Sequence, residues 1–191
     1  MIKQLFLASF ILLQSWTLSA QDNLIKNGQF TAGTQNWEVL LVNKDNPIKA
    51  HIEHGSSYKE YGLADNFVGT NFVELDQQSA LQQHIITTPN QRYKLLFAYA
   101  HRPEAGKQQL IVMAAGNIVF TKTLDNGASE GQFSYKEIEF TAVDTRTKIS
   151  FHAVPLAEAQ ADKGILITDI LCQEINAETL DLHKISSGGK I

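Results

Sequence analysis

Glu74 and Asp76 sit two residues apart in the run Val73-Glu74-Leu75-Asp76. On an extended chain that spacing puts both carboxylates on one face. A general acid and base for glycoside hydrolysis would need such a pair. Glu53 and Glu60 are further carboxylates of the same kind. An acidic chain offers pairs like these by composition alone, so this one is a candidate rather than a signature. His51-Ile52-Glu53-His54 has the residue types of a zinc site. On a strand, however, His51 and His54 point to opposite faces, and the HExxH pattern of zinc hydrolases is absent. His101 and His152 would have to approach from other strands. No G-x-S-x-G elbow occurs. The single cysteine, Cys172, lies between Leu171 and Gln173 in an apolar run, the setting of a buried, inert thiol. The residue chemistry therefore points away from turnover.

The chain has 191 residues, with 20 acidic and 16 basic side chains and a net charge of −4. No basic cluster interrupts the sequence, which argues against nucleic acid and anionic membrane surfaces as partners. Residues 1–20 read as a cleaved export signal: Lys3 opens it, residues 5–13 form an apolar stretch, and Leu18-Ser19-Ala20 ends it on a small residue. The apolar stretch is short against the about 20 residues a spanning helix needs. No cysteine stands near the cleavage site to carry a lipid. The expected location is periplasmic or extracellular, and one cysteine allows no internal disulfide. Residues 21–175 are long enough for one domain. Residues 176–191 lack an apolar pattern and read as a flexible tail.

The elements that must position these groups are strands. Residues 71–106 carry the clearest pattern. Tyr93, Leu95, Phe97 and Tyr99 alternate with Lys94, Leu96, Ala98 and Ala100, so both faces of this strand are largely apolar. It suits the centre of a sheet covered on both sides. Residues 23–31 read as a first strand with a turn at Asn27-Gly28, residues 37–42 as a second, and residues 48–54 as a half-exposed third. Residues 55–70 form a long irregular loop of the kind that often carries function. Residues 108–113 and 118–123 flank a turn at Ala115-Gly116 and read as a hairpin. Residues 135–142, 146–153 and 164–174 are further strands, and residues 155–163 hold one helical turn at most. Ten or so short strands and almost no helix mean an all-β fold, a two-sheet antiparallel β-sandwich in preference to a barrel.

Several motifs then fall into a known order. Asn23-Leu24-Ile25-Lys26-Asn27-Gly28-Gln29-Phe30 resembles the N-L-(I/V)-x-N-G-x-F-E opening of galactose-binding-like jelly-roll domains. These include carbohydrate-binding modules of bacterial glycosidases and cell-wall-associated jelly-roll proteins of plants. Trp37 falls where that group has a tryptophan. Val73-Glu74-Leu75-Asp76 resembles its V-E-L-D-G segment. Gln83, Thr87, Pro89 and Tyr93 are in register with I-x-Q-x-(F/V)-x-T-x-P-G-x-x-Y, and Arg102-Pro103 with an Arg-Pro-Gly sequence. Residues 133–142 and 164–171 resemble the two closing motifs, with Asp169 at the closing aspartate. The resemblance runs from residue 23 to about residue 174 and implies a jelly roll. In the related modules the opening Glu and closing Asp help to hold a structural calcium. Here Thr31 stands in place of that Glu, and Gln77 follows Asp76 where the group has Gly. Asp169 remains as the calcium candidate, set against an aspartate that simply bonds turn amides. No other cofactor is implied.

Carbohydrate recognition needs an aromatic platform and planar hydrogen-bonding groups. The candidates are Tyr58 and Tyr61 in the long loop, Gln82 and His84 on one strand face, and Tyr99 and Arg102 at the end of the central strand. Trp37 is followed by apolar residues and reads as core. The expected function is a secreted, non-catalytic carbohydrate- or glycan-binding protein whose partner is a polysaccharide or glycan surface. The alternatives are a protein–protein adhesion or assembly module and, below it, a glycoside-cleaving enzyme.

Overall fold

The computed structural model describes residues 22–41, 51–53, 59–67, 69–76, 79–126, 131–156, 159 and 163–175. The expected export signal, the tail, His54, Tyr58 and most of the expected helical turn lie outside the described residues. Ten strands occur among those described: β1 (Glu38–Leu41), β2 (His51–Glu53), β3 (Phe72–Leu75), β4 (Ser79–Ile86), β5 (Arg92–His101), β6 (Gln108–Ala114), β7 (Asn117–Leu124), β8 (Ser134–Thr141), β9 (Arg146–Pro155) and β10 (Ile165–Glu174). They form two five-stranded antiparallel sheets, ordered β1-β4-β9-β6-β7 and β2-β3-β10-β5-β8. The fold is a jelly-roll β-sandwich.

Period-two alternation builds the core. Tyr93, Leu95, Phe97 and Tyr99 of β5 face Leu110, Val112, Ile149 and Phe151 of the opposite sheet, all within one buried cluster. Phe97 meets Phe151 and Phe120 edge-on at ring-centroid distances of 5.2 and 5.6 Å, a geometry that aligns positive ring edges with negative faces.

Two expectations about strands change. The centre of the second sheet is β10, with β5 one place towards the edge. The outer face of β5 is covered only towards its end. Lys94 and Leu96 are half-exposed, while Ala100 lies under a smaller cluster of Tyr61, Leu63, Phe72 and Leu166. Residues 59–67 thus serve as a lid on the sheet. Residues 23–31 are not a strand but a run of bends and turns. Their side chains satisfy the backbone instead of a ladder. The Asn27 amide donates to Gly33 O at 2.7 Å and Gln35 O at 3.0 Å, and its carbonyl accepts from Ala32 N. Phe30, fully buried, and Trp37 pin this segment to the core, with ring centroids 5.7 Å apart.

The sequence of β10 contains a phase slip. Ile165 and Ile167 face the core, and so do Ile170 and Cys172. Between Thr168 and Leu171 the pairing with β5 shifts by one residue. The extra residue of this bulge is Asp169, whose φ is +50°. A bulge re-aims side chains and marks sites, and a left-handed non-glycine residue carries strain of about 1–3 kcal/mol.

Candidate functional site

Tyr61, Tyr99 and Arg102 all make packing or pairing contacts within the fold. Tyr99 is 8% exposed because its strand phase turns it into the inter-sheet core, against Phe97 and Phe120. Tyr61 is 7% exposed and packs edge-on against Phe72, with ring centroids 5.2 Å apart. The Arg102 guanidinium carbon lies 4.3 Å from the Tyr61 ring centroid. Arg102 Nη1 donates to both oxygens of Glu74, at 2.9 and 3.0 Å, and Gly164 N donates to Glu74 Oε1 at 2.7 Å. Arg102 and Tyr61 do come together, then, but around a buried carboxylate. Glu74 is 1% exposed, and so is Asp76. The strand pair proposed for acid–base work is thus sealed in the fold, with Glu74 committed to Arg102 and a backbone amide.

Among the described residues, His51, His101 and His152 fall on three different strands. His51 falls on β2. His101 is buried and bonds Gly106 O through Nε2 at 2.8 Å, and His152, on the other sheet, bonds Ser150 Oγ at 2.9 Å. Burial, with Lys148 nearby, pushes the His152 pKa down. No group of three or more metal-ligating side chains occurs among the described residues. Cys172 is fully buried, and burial pushes its thiol up to about 12. A disulfide reagent at pH 8 is expected to label no thiol in the folded protein and one in urea. Rapid labelling without denaturant would contradict that burial.

Gln82 and His84 lie on the outer side of β4, His84 exposed and Gln82 9% exposed at the base. Together with Lys26, Asn36, Glu38 and Arg146 they line an open concavity of about 630 Å³. Gln82 Nε2 donates to Glu38 Oε2 at 2.7 Å.

The second concavity, of about 610 Å³, surrounds the β10 bulge. Here Asp169 points outward. Its Oδ2 accepts the Tyr135 hydroxyl at 3.0 Å and its Oδ1 accepts Gln29 Nε2 at 3.2 Å. The Tyr135 side chain is 61% exposed, unusual for a large aromatic held at a fixed hydrogen bond. Desolvation and the Asp169 carboxylate both push the Tyr135 phenol up, so it stays protonated and donating at neutral pH. The turn at Asn27-Gly28 walls the site. Ile170 N donates to Gly28 O at 3.0 Å, and a Cβ on Gly28 would lie 2.0 Å from Ile170 O. Only glycine allows the loop to close on the bulge in this way. Tyr135 and Gln29 were not among the residues singled out from sequence. The signals that mark them are the phase slip in β10 and an aromatic on the exposed side of β8.

A recess of about 220 Å³ adjoins Asp169, lined also by Gln29, Thr31, Gly69, Thr70, Asn71 and Thr168. Calcium takes six to eight oxygens, commonly several carboxylates among them. This recess offers one carboxylate, already accepting two hydrogen bonds, and Thr31 supplies none. Thr168 Oγ1 donates to Asn71 O at 2.6 Å, using one of that carbonyl's two lone pairs. Among the described side chains this recess supplies a single carboxylate, fewer than calcium sites commonly have. Adding calcium or EDTA is expected to move the thermal midpoint by less than about 1 °C. A rise of several degrees with calcium would contradict this.

A family profile with the description "Protein of unknown function (DUF642)" matches residues 23–171. A search of curated proteins returns no match. Among solved structures the chain is similar to TmCBM61 in complex with beta-1,4-galactotriose, at 19% identity and a TM-score of 0.54, over 81% of this chain and 99% of that one. It is similar to a Stig cyclase, Fisc, from Fischerella sp. TAU, at 12% identity and a TM-score of 0.56, over 81% and 98%. It also resembles the enzymatically active domain of tailspike protein 4 of bacteriophage CBA120, at 15% identity and a TM-score of 0.53, over 80% of this chain and 21% of that one. At these identities the likeness is one of fold, a fold that hosts binding modules and enzymes alike.

Proposed function

The chain belongs to the DUF642 family, and from that footing we propose that it is a secreted, non-catalytic glycan-binding protein whose binding site is the Tyr135–Asp169–Gln29 concavity. The observation that carries the reading is the exposed Tyr135 ring held by Asp169 at the β10 bulge. The ring offers an apolar face for the C–H face of a sugar. Asp169 and Gln29 offer planar acceptors and donors for its hydroxyls. The strain stored at Asp169 is consistent with a position kept for its side chain. The fold shared with TmCBM61, a module solved with a galactotriose, supports the same reading. The non-catalytic part of the reading is supported by the burial of Glu74 and Asp76, the carboxylate pair the sequence offers for acid–base work.

The test is calorimetric titration of the mature protein with neutral oligosaccharides, β-1,4-galactotriose among them. Binding of at least one neutral oligosaccharide, without release of reducing ends, is expected. Absence of binding across neutral plant and bacterial glycans, or binding equally tight in Asp169→Ala, would refute the site.

A further inference from the structure

We propose that the concavity lined by Glu38, Gln82 and His84 is a second, separate binding site, and that it takes an acidic sugar. Its cations are far apart in sequence and are brought together by the fold. Lys26 comes from the N-terminal loop and Arg146 from the first residue of β9. Lys148 does not line the concavity but pairs in register with His84, which does. Among the described residues Lys26, Arg146 and Lys148 make no ion pair, whereas five other cations of this acidic chain do. Unpaired cations on the rim of a concavity favour a carboxylate.

The floor is hydrogen-bonding rather than purely cationic. Gln82 and Glu38 hold each other at 2.7 Å, which fixes both planar groups while leaving one amide proton and one carboxylate oxygen for ligand hydroxyls. The wall is stiff. Gln83 Oε1 accepts from Lys26 N at 2.8 Å, and Gln83 Nε2 donates to the carbonyls of Lys26 and Asn36, each at 2.9 Å. This buried amide staples both ends of the 26–36 loop to β4, so Lys26 and Asn36 are presented from a fixed backbone. A small anion would use the cations and ignore the floor. A uronate residue uses both, its carboxylate towards Lys26 and Arg146 and its hydroxyls towards Gln82, Glu38 and His84. The two concavities flank the same N-terminal segment and share Asn23, but Lys26 and Arg146 line only the first and Tyr135 only the second, so these variants address them separately.

The experiment titrates the mature protein with a trisaccharide of galacturonic acid, with its neutral galactose counterpart, with acetate and with a poly-glutamate peptide. The acidic trisaccharide is expected to bind wild type and Tyr135→Ala alike. Its affinity should fall about tenfold for each cation removed in Lys26→Gln and Arg146→Gln, and weaken as salt rises from about 50 to about 500 mM. Gln82→Ala should weaken the acidic trisaccharide while leaving acetate unchanged. Both cations are exposed, so thermal midpoints of the variants should match wild type. Several outcomes would overturn the proposal: equal affinity for acetate, preference for the acidic peptide, indifference to Lys26→Gln and Arg146→Gln, or loss of acidic binding in Tyr135→Ala.

Discussion

Arg102→Leu is expected to lower the unfolding free energy by about 3–5 kcal/mol, the cost of leaving a buried carboxylate without its partner. Glu74 is 1% exposed and Arg102 supplies the charge that balances it through two contacts of 2.9 and 3.0 Å. Without Arg102, only Gly164 N remains among the donors shown to reach Glu74. The loss also removes the guanidinium from the Tyr61 ring and so loosens the 59–67 lid. Urea unfolding should show a lower midpoint with an unchanged slope. A paired replacement, Glu74→Leu with Arg102→Leu, should recover part of the loss, because no charge is then stranded. If Arg102 were instead a ligand group, Arg102→Leu would leave the midpoint in place and remove sugar binding. The two outcomes separate cleanly.

Tyr135→Ala should do the opposite. The side chain is 61% exposed, so its removal should change stability by no more than about 0.5 kcal/mol. Truncating an aromatic anchor in a binding site costs about 2 kcal/mol or more, which is about a thirtyfold loss in neutral-glycan affinity. Tyr135→Phe keeps the ring and loses the hydroxyl that bonds Asp169 Oδ2. It should fall between wild type and Tyr135→Ala. Unchanged affinity in Tyr135→Ala would mean that the ring is not the platform.

The fold was legible because strands announce themselves by alternation and turn residues. Tyr93 to Tyr99 and Ile149 to Ala153 are plain in the chain, and the resemblance orders them. What misled was exposure. Tyr61 and Arg102 read as loop and strand-end groups, yet Glu74 draws Arg102 inward and Arg102 draws Tyr61 over it. No local pattern in the chain reports such a pairing across 28 residues. Tyr99 follows the core phase of Tyr93, Leu95 and Phe97, so its burial was readable from alternation. Gln82 and His84 alternate onto the outer face of β4, as period two dictates, but the cations beside them, Lys26 and Arg146, are 120 positions apart and look scattered in sequence. Asp169 stood out through the resemblance alone. Its physical mark is the slip from Ile167 to Ile170 within an otherwise alternating strand, which places a polar residue at a bulge.

Two surfaces compete for a neutral sugar, the β10 bulge and the Tyr61–Arg102 region. The direct measurement is the amide and side-chain chemical-shift change in labelled protein as β-1,4-galactotriose, or the best neutral ligand, is added. Shifts should concentrate at Asn27, Gly28, Gln29, Tyr135 and Asp169, with residues 61 and 102 unmoved. Shifts centred on Tyr61 and Arg102, or none around the β10 bulge, would contradict it.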